Sequence, residues 1–319
     1  MPLDSDILNI FFIVVSLILA VVIPFELFLF SYAVLGPMHY LTEINWLKSK
    51  NYFFNTNLKP AYILIGIVAL ISALYLIDFF NSNWLDSLKS HRRVMVTQLI
   101  LTSFIFIVVF EFLQSKLGLW LCLAIAFVIS LLLLKIYVGF HYLSLVFLPT
   151  LIHVYIFTGF FMIYGYTKNK QNKALLSILL FWSVPFIIYL IPKEFLSFMT
   201  TSKAEVLYFN TGFSKINAIL NQIFSEDNSI FDFKIQTFIA FAYTYHYLNW
   251  FGKTNLIGWA KAINTTQMII ILLFWSISVS LYLYDYSLGL MILFFMSLAH
   301  VLLEFPLNIK SIKSIFRLG

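Results

Sequence analysis

Long apolar runs dominate the chain, and they are separated by short polar connections. A helix of ~20 residues is long enough to cross the ~30 Å hydrocarbon core of a bilayer. By this criterion the sequence predicts about nine spanning helices, at residues 7–35, 60–80, 94–112, 117–138, 140–164, 174–191, 233–251, 265–283 and 287–305. The turn near Gly139 leaves almost no loop between two of these spans, so the predicted count ranges from eight to ten. The pattern indicates an all-α polytopic bundle that forms one integral-membrane domain over residues 1–319.

Two segments outside these runs have a mixed pattern of apolar and polar residues. Residues 38–54 follow Gly36-Pro37 and are too short and too polar to span, so we expect an amphipathic piece at one membrane surface. Residues 193–232 form the long polar loop, in which residues 213–224 predict an interfacial helix.

The composition supports a membrane protein and excludes several other classes. Hydrophobic residues make up 61% of the chain and charged residues 11%, whereas about a quarter of a soluble chain is charged. The net charge of +6 is spread among short loops, so we interpret it as a determinant of topology and expect no nucleic-acid partner. The single cysteine, Cys122, excludes an intramolecular disulfide and a CxxC-type metal site.

The distribution of basic residues predicts an orientation. With nine spans, twelve of the 20 Lys and Arg residues fall on the side of the C-terminus and eight on the other side. The positive-inside rule then predicts a cytoplasmic C-terminus and an N-terminus outside. We expect the protein in a bacterial inner membrane.

Three histidines lie at one predicted depth. His153, His246 and His300 are each ~13 residues into spans that run in the same direction, which places them ~20 Å from one membrane edge at 1.5 Å per residue. An ionisable residue at membrane depth is a functional-site hypothesis by default. Imidazole is the commonest metal ligand, so we predict a metal site, with iron as the first candidate and zinc as an alternative. Hydrogen bonding between helices is the competing interpretation.

Further residues are candidates for the same site. His39 is a fourth ligand if Gly36-Pro37 turns the chain back inward, and Glu26, near Pro24, competes with it. Glu43 and Glu304 each follow a histidine by four residues, so each pair can share a helix face and the carboxylates can orient imidazoles. The remaining candidates for the catalytic site flank His246, and for these aromatic residues packing is the alternative role: Tyr245 and Trp250.

At these residues the chain resembles the bacterial Brp/Blh family of membrane β-carotene 15,15′-dioxygenases. Four regions carry the resemblance: Gly36-Pro-Met-His with Glu43, Leu151-Ile-His, Phe241-Ala-Tyr-Thr-Tyr-His and Ala299-His-Val-Leu-Leu-Glu. The chain departs from the family pattern where Trp250 replaces a second histidine and Met38 separates Pro37 from His39.

The resemblance implies an iron-dependent oxygenase that acts on a carotenoid or another lipophilic molecule within membrane lipid. The departures imply an altered metal sphere or a different substrate. Two other functions stay open at this point. One is a transporter or lipid-handling protein in which the histidines and glutamates form a proton relay, with a water-filled path past Glu26 or Glu111. The other is a haem protein that uses two of the histidines as axial ligands.

Overall fold

The structure is a computed structural model that describes residues 5–50, 59–77, 86–113, 116–137, 139–211, 213–224, 231–253 and 258–316. All regular secondary structure in these ranges is helical. The predicted all-α fold is therefore confirmed for the described part of the chain.

The first half of the chain forms α1 to α6, with a π-helical segment at Ser31–Leu35. Their bounds are α1 Ser5–Val22, α2 Pro24–Phe30, α3 Gly36–Ser49, α4 Lys59–Leu76, α5 Asp86–Leu113 and α6 Leu119–Ile136. The second half contains a longer π-helical segment, Leu143–Phe157, between α7 and α8. Its α-helices are α7 Gly139–Tyr142, α8 Thr158–Asn169, α9 Asn172–Leu190, α10 Ser202–Asn210, α11 Ser214–Phe224, α12 Phe233–Gly252, α13 Thr265–Tyr284 and α14 Tyr286–Phe316.

Seven helices in the described ranges are long and apolar enough to cross a membrane. They are Lys59–Leu76, His91–Leu113, Leu119–Ile136, Val146–Lys168, Asn172–Leu190, Thr265–Tyr284 and Tyr286–Phe316. They match seven of the nine predicted spans, which supports an integral membrane protein. The count of nine is not confirmed, because Asp6–Val22 is shorter and α12 is less apolar than these seven.

The first predicted span, residues 7–35, contains a reversal of direction. α1 runs antiparallel to α12, since Phe12 packs against Gly252 at the end of α12. At the other end of α1, the carbonyl of Val21 accepts a hydrogen bond from the backbone N–H of Ser197, which precedes α12 in the chain. α2 and α3 then run parallel to α12: Phe25 lies against Phe233 near its start, and Trp46 lies against Trp250 near its end.

The reversal occurs at Ile23, directly before Pro24. Ile23 has a φ of −137° and a ψ of 60°, outside the helical region. Pro24 has no N–H to continue the hydrogen bonding of α1, but it is well suited to the first turn of the next helix. The predicted single span is therefore wrong, and a pair of antiparallel helices takes its place.

The return of the chain through α3 also corrects the prediction for residues 38–54. His39, Tyr40, Glu43 and Leu47 are buried, so α3 lies inside the bundle and not along a membrane surface. Residues 51–54 lie outside the described ranges.

In the described part of the chain, ten helical rods alternate in direction. Neighbouring side chains fix the alternation: Tyr75 contacts Phe294, Gln98 contacts Ser130, and Gly159 lies against Trp182. The rods are α1, α2–α3, α4, α5, α6, α7–α8, α9, α12, α13 and α14. We call the end of the bundle where α1 begins and α12 ends the proximal end, and the opposite end the distal end.

The alternation contradicts the prediction that the chain termini lie on opposite sides. Asp6 near the start of α1 and Lys310 near the end of α14 line one cavity at the proximal end. The physical reason is the reversal at Ile23, which adds one crossing and brings the N-terminal end of α1 to the side where α14 ends.

α12 lies at the centre of the bundle. Thirteen of its 20 residues are buried, compared with three of 20 in α13. Neighbouring helices surround α12 on several sides, so its polar residues are buried within the bundle. This explains how a helix with histidine, asparagine and glutamine occupies the middle of an apolar bundle.

The predicted long loop at 193–232 contains two helices, α10 and α11, at the distal end. The predicted helix at residues 213–224 is found as α11 (Ser214–Phe224). Its Asn217 side chain is buried and exchanges two hydrogen bonds with the backbone of Asp232, which leads into α12.

Candidate metal centre

Four histidines from four different rods meet inside the bundle. The ring centroids are 4.8 Å apart for His39 and His246, 5.4 Å for His39 and His300, 5.0 Å for His153 and His246, and 4.9 Å for His153 and His300. None of the four residues is more than 7% exposed. The expected convergence of three histidines is therefore confirmed, and His39 joins them. We call these four residues the histidine cluster.

The Nε2 atoms of the cluster face one another. Nε2 of His153 is 3.1 Å from Nε2 of His300, and Nε2 of His39 is 3.2 Å from Nε2 of His246. Two nitrogens bonded at ~2.1 Å to one ion are ~3.0 Å apart at a right angle and ~3.4 Å apart at the tetrahedral angle. The spacing therefore suits ligands of a shared cation.

The most compact set of potential ligands differs from the predicted one. One ligand atom from each of His39, His246 and His300 lies within 4.8 Å of the other two. His153 lies beside His300 and is the fourth member. His39 enters this set because α2–α3 returns through the bundle, which the predicted single span did not allow.

Hydrogen bonds at Thr158 fix the tautomer of His246. The hydroxyl of Thr158 donates to the carbonyl of Val154 at 2.8 Å, so it accepts at its 2.8 Å contact with Nδ1 of His246. Nδ1 of His246 therefore carries the proton in the neutral ring, and Nε2 presents its lone pair to the cluster. A metal-ligating histidine is commonly held in this way by a group on its other nitrogen.

The two carboxylates of the cluster approach different sides of their imidazole partners. Oε2 of Glu43 is 3.1 Å from Nε2 of His39, the atom that also faces His246. Oε2 of Glu304 is 3.2 Å from Nδ1 of His153, which lies on another rod. Glu304 therefore contacts the outer side of an imidazole, whereas Glu43 lies on the inner side of the cluster.

Several buried polar atoms of the cluster have no hydrogen-bond partner among the described residues. They include Oε2 of Glu43 and Glu304 and Nδ1 of His39 and His153. The close contact between Glu304 and Nδ1 of His153 is not aligned as a hydrogen bond. Leaving a buried polar group unpaired costs ~1–3 kcal/mol. So many in one place indicate a site built to hold a ligand or an ion.

Aromatic residues close the distal side of the cluster. The Tyr40 ring stacks on His300 with centroids 4.1 Å apart, and its hydroxyl lies 2.9 Å from that of Tyr247. A Cβ atom at position 36 would lie 3.0 Å from the Tyr40 hydroxyl, so Gly36 leaves room for this pair. Sequence reasoning missed Tyr40, Tyr247 and Thr158, although the first two directly follow cluster histidines.

Of the predicted aromatic residues, Trp250 lies at the site and Tyr245 does not contact it. Trp250 lies 5.5 Å from the His39 ring and donates from Nε1 to the hydroxyl of Thr42 at 3.0 Å. Tyr245 donates to Oδ1 of Asn9 at 2.7 Å, on the face of α12 that packs against α1.

Glu26 lies outside the cluster. Its Oε1 accepts hydrogen bonds from the backbone N–H of Thr201 at 2.6 Å and from the Thr201 hydroxyl at 2.9 Å. Thr201 is the N-cap of α10 at the distal end. The reversal at Ile23 puts Glu26 at the beginning of the returning rod, away from His39, so it cannot be the fourth ligand.

A cavity of about 650 Å³ connects the cluster with the proximal end of the bundle. Its inner wall contains His39, His246, Glu43 and Glu304. Apolar side chains form much of the remaining wall: Trp46, Phe161, Met162, Trp250 and Leu307. The volume lies within the ~300–1,000 Å³ range of small-molecule sites.

The outer part of the cavity carries charged groups. Asp6, Lys253 and Lys310 line it there. Burial lowers the pKa of Lys253 to about 8, and the Asp6 carboxylate acts in the opposite direction. The cavity therefore joins a charged mouth to a buried imidazole and carboxylate cluster.

Comparison with known proteins gives no match. No family model, no curated protein and no solved structure matches this chain. The site must be interpreted from its own geometry.

Proposed function

We propose that this protein is an integral-membrane metalloenzyme, an iron-dependent oxygenase that acts on a lipophilic substrate. The histidine cluster carries the proposal: three of its four buried imidazoles offer ligand atoms within 4.8 Å of one another, and two carboxylates lie beside the cluster. Helix association alone does not require such a concentration of unpaired buried groups. The oxygenase chemistry and the carotenoid as a candidate substrate rest on the resemblance to the Brp/Blh family.

The proposed metal ligands are Nε2 of His39, His246 and His300, with Nε2 of His153 as the fourth. The tautomer of His246 supports this assignment, because its Nε2 has a lone pair available. Iron is bound by imidazole and carboxylate ligands, and it supplies the redox chemistry for oxygen that amino-acid side chains lack.

The carboxylates have different roles in this proposal. Glu304 holds the imidazole of His153 in orientation through Nδ1, as the partners of metal-ligating histidines commonly do. Glu43 faces the inner side of the cluster, where it is close enough to ligate the same ion or to hold a proton next to the cavity. Trp250 and Trp46 form an apolar wall beside Glu43 and limit the access of water.

Metal analysis of the purified protein tests the proposal. We expect about one iron per chain in the wild type and loss of bound metal in His246→Ala and His300→Ala, because each change removes an imidazole from the compact set. His141→Ala is the matched control, since His141 belongs to α7 and lies outside the cluster. Stoichiometric iron that survives both cluster changes would contradict the proposal.

The same measurement separates the alternatives. Stoichiometric zinc would retain the metal centre and replace oxygenase chemistry by Lewis-acid chemistry. Haem fits less well, because imidazole nitrogens 3.1–3.2 Å apart leave no slot for a macrocycle between them. A proton relay past Glu26 or Glu111 has little support, since Glu26 binds Thr201 and Glu111 lies 3.9 Å from Lys313.

We also propose that all ten rods belong to the membrane domain, which adds α1, α2–α3 and α12 to the seven apolar spans. Among the described residues, the lysines assigned to the side of the C-terminus lie toward the proximal end or in its connections. Dividing the first predicted span into two rods changes the side of none of them. The positive-inside rule then favours a cytoplasmic proximal end with both termini on that side. Residence in a bacterial inner membrane stays a prediction.

A further inference from the structure

We propose that the cavity binds a single-chain amphiphile with an anionic head group, with the head at Lys253 and Lys310 and the chain directed toward the histidine cluster. This inference deepens the proposed function and rests on it in one respect, that the cavity is the path of the substrate to the metal centre.

The position of the cavity indicates how a ligand enters. Its lining residues come from the proximal parts of six rods, through α1, α3, α8, α9, α12 and α14. His153 and His300 lie behind the inner wall, and Tyr40 stacks on His300 from the distal side. A ligand in this cavity therefore approaches the cluster from one side, with one end leading. A long polyene cleaved at its centre would need space on both sides of the metal.

The chemistry of the wall changes along the cavity. Phe161, Met162 and Leu307 line it together with Trp46 and Trp250, so its middle suits a hydrocarbon chain. Lys253 follows His246 by seven residues, which corresponds to ~10 Å along a helix. Lys310 follows Glu304 by six residues, or ~9 Å. The two lysines thus leave the backbone about two helical turns from the cluster, on its proximal side.

The charges at the mouth favour an anionic head. Two cationic side chains, Lys253 and Lys310, line this part of the cavity together with one carboxylate, that of Asp6. A carboxylate or phosphate head forms charge-assisted hydrogen bonds with lysine, whereas an alcohol of the same chain length gains far less. A volume of about 650 Å³ is adequate for one such chain.

Competition binding in a neutral detergent tests the inference. The purified full-length protein is equilibrated with radiolabelled oleate, and specific binding is defined by displacement with unlabelled oleate or with oleyl alcohol. We expect oleate to compete at least tenfold more strongly than the alcohol, since a hydrogen bond to a charged group contributes on that scale. Oleyl phosphate, tested in the same way, distinguishes a preference for phosphate from one for carboxylate.

Substitutions locate the head group. Lys253→Met and Lys310→Met should each weaken oleate binding by roughly tenfold and leave competition by oleyl alcohol unchanged. Lys253→Arg should retain most of the affinity. The matched control is Lys261→Met, because Lys261 is also near the proximal end but does not line the cavity. Equal competition by oleate and oleyl alcohol in the wild type, or oleate binding that is insensitive to both lysine changes, would overturn the inference.

The oleate-binding test can be read separately from the test of the metal centre. Oleate binding is measured in metal-free protein as well as in loaded protein, and metal content is measured separately. Oleate selectivity in a protein that never binds metal would support the amphiphile site and contradict the proposed function. Stoichiometric iron without oleate selectivity would support the metal centre and contradict the amphiphile site.

Discussion

Two buried polar clusters in the described part of the bundle differ in how completely their groups are paired. Between α5 and α6, Gln98 donates to the Ser130 hydroxyl at 2.5 Å, and the Thr102 hydroxyl lies 2.8 Å from that of Ser130. Ser130 also donates to the carbonyl of Phe127 at 2.9 Å. These groups are neutral and satisfy one another. The histidine cluster instead combines ionisable side chains with buried nitrogen and oxygen atoms that have no hydrogen-bond partner among the described residues.

The contrast separates helix association from a functional site. Gln98, Thr102 and Ser130 hydrogen-bond across one helix pair, a common arrangement in membrane bundles. The histidine cluster draws on four rods and adjoins a cavity, whereas none of those three residues lines that cavity. Buried polar groups alone are therefore weak evidence for function, and unpaired ionisable groups at a cavity are stronger evidence.

The largest expected effect is on thermal stability when metal is removed, because only the histidine cluster is expected to bind metal. A ligand at ~1,000 times its Kd stabilises the folded state by ~4 kcal/mol. We therefore expect a chelator to lower the melting temperature of the wild type clearly and that of His246→Ala hardly at all. Ser130→Ala should keep the full response to chelator. A wild-type melting curve that is unchanged by chelator and by added iron would contradict a metal centre.

A smaller effect should distinguish Glu43 from Glu304. Glu304→Gln should weaken metal binding by ~10–100-fold, the usual consequence of losing a group that orients a ligating histidine. Glu43→Gln should weaken it more, because Glu43 lies on the inner side of the cluster. Metal titration of both variants measures the order. The reverse order would show that Glu304 is the closer of the two to the ion.

The smallest effect is expected in the neutral cluster. Ser130→Ala should destabilise the protein by only ~0.6 kcal/mol, the average for hydrogen bonds between membrane helices. Iron content should stay stoichiometric. Unfolding in mixed micelles measures the first quantity and metal analysis the second. A loss of metal in this variant would mean that the two clusters are coupled through the bundle.

Hydropathy predicted the rods that face lipid better than the rods at the centre. The seven apolar spans match, because contact with lipid demands an uninterrupted apolar surface. The reversal at Ile23 was missed because α1 and α2 read as one continuous apolar run, and a proline can either kink a membrane helix or end it. α12 was predicted as a span from the length of its apolar run. It is less apolar than the seven spans, which its burial in protein allows.

The candidate site was predictable to the extent that it depends on depth. Equal spacing into parallel spans brought His153, His246 and His300 together correctly. Glu26 was misjudged because residues 7–35 were predicted as one span, whereas the chain turns back at Ile23, before Glu26. Tyr245 was misjudged for a simpler reason: successive residues on a helix are ~100° apart, so a residue next to His246 faces a different neighbour, whereas Trp250, four residues on, shares its face.

The four imidazoles are separated by most of the length of the polypeptide, at positions 39, 153, 246 and 300. During synthesis, the early rods therefore enter the membrane with only part of the set, and the set is complete only when α14 has joined them. If the cluster binds a metal ion as proposed, the nascent chain presents only isolated histidines until then, and metal binding would be a late event in biogenesis that reports on assembly of the whole bundle.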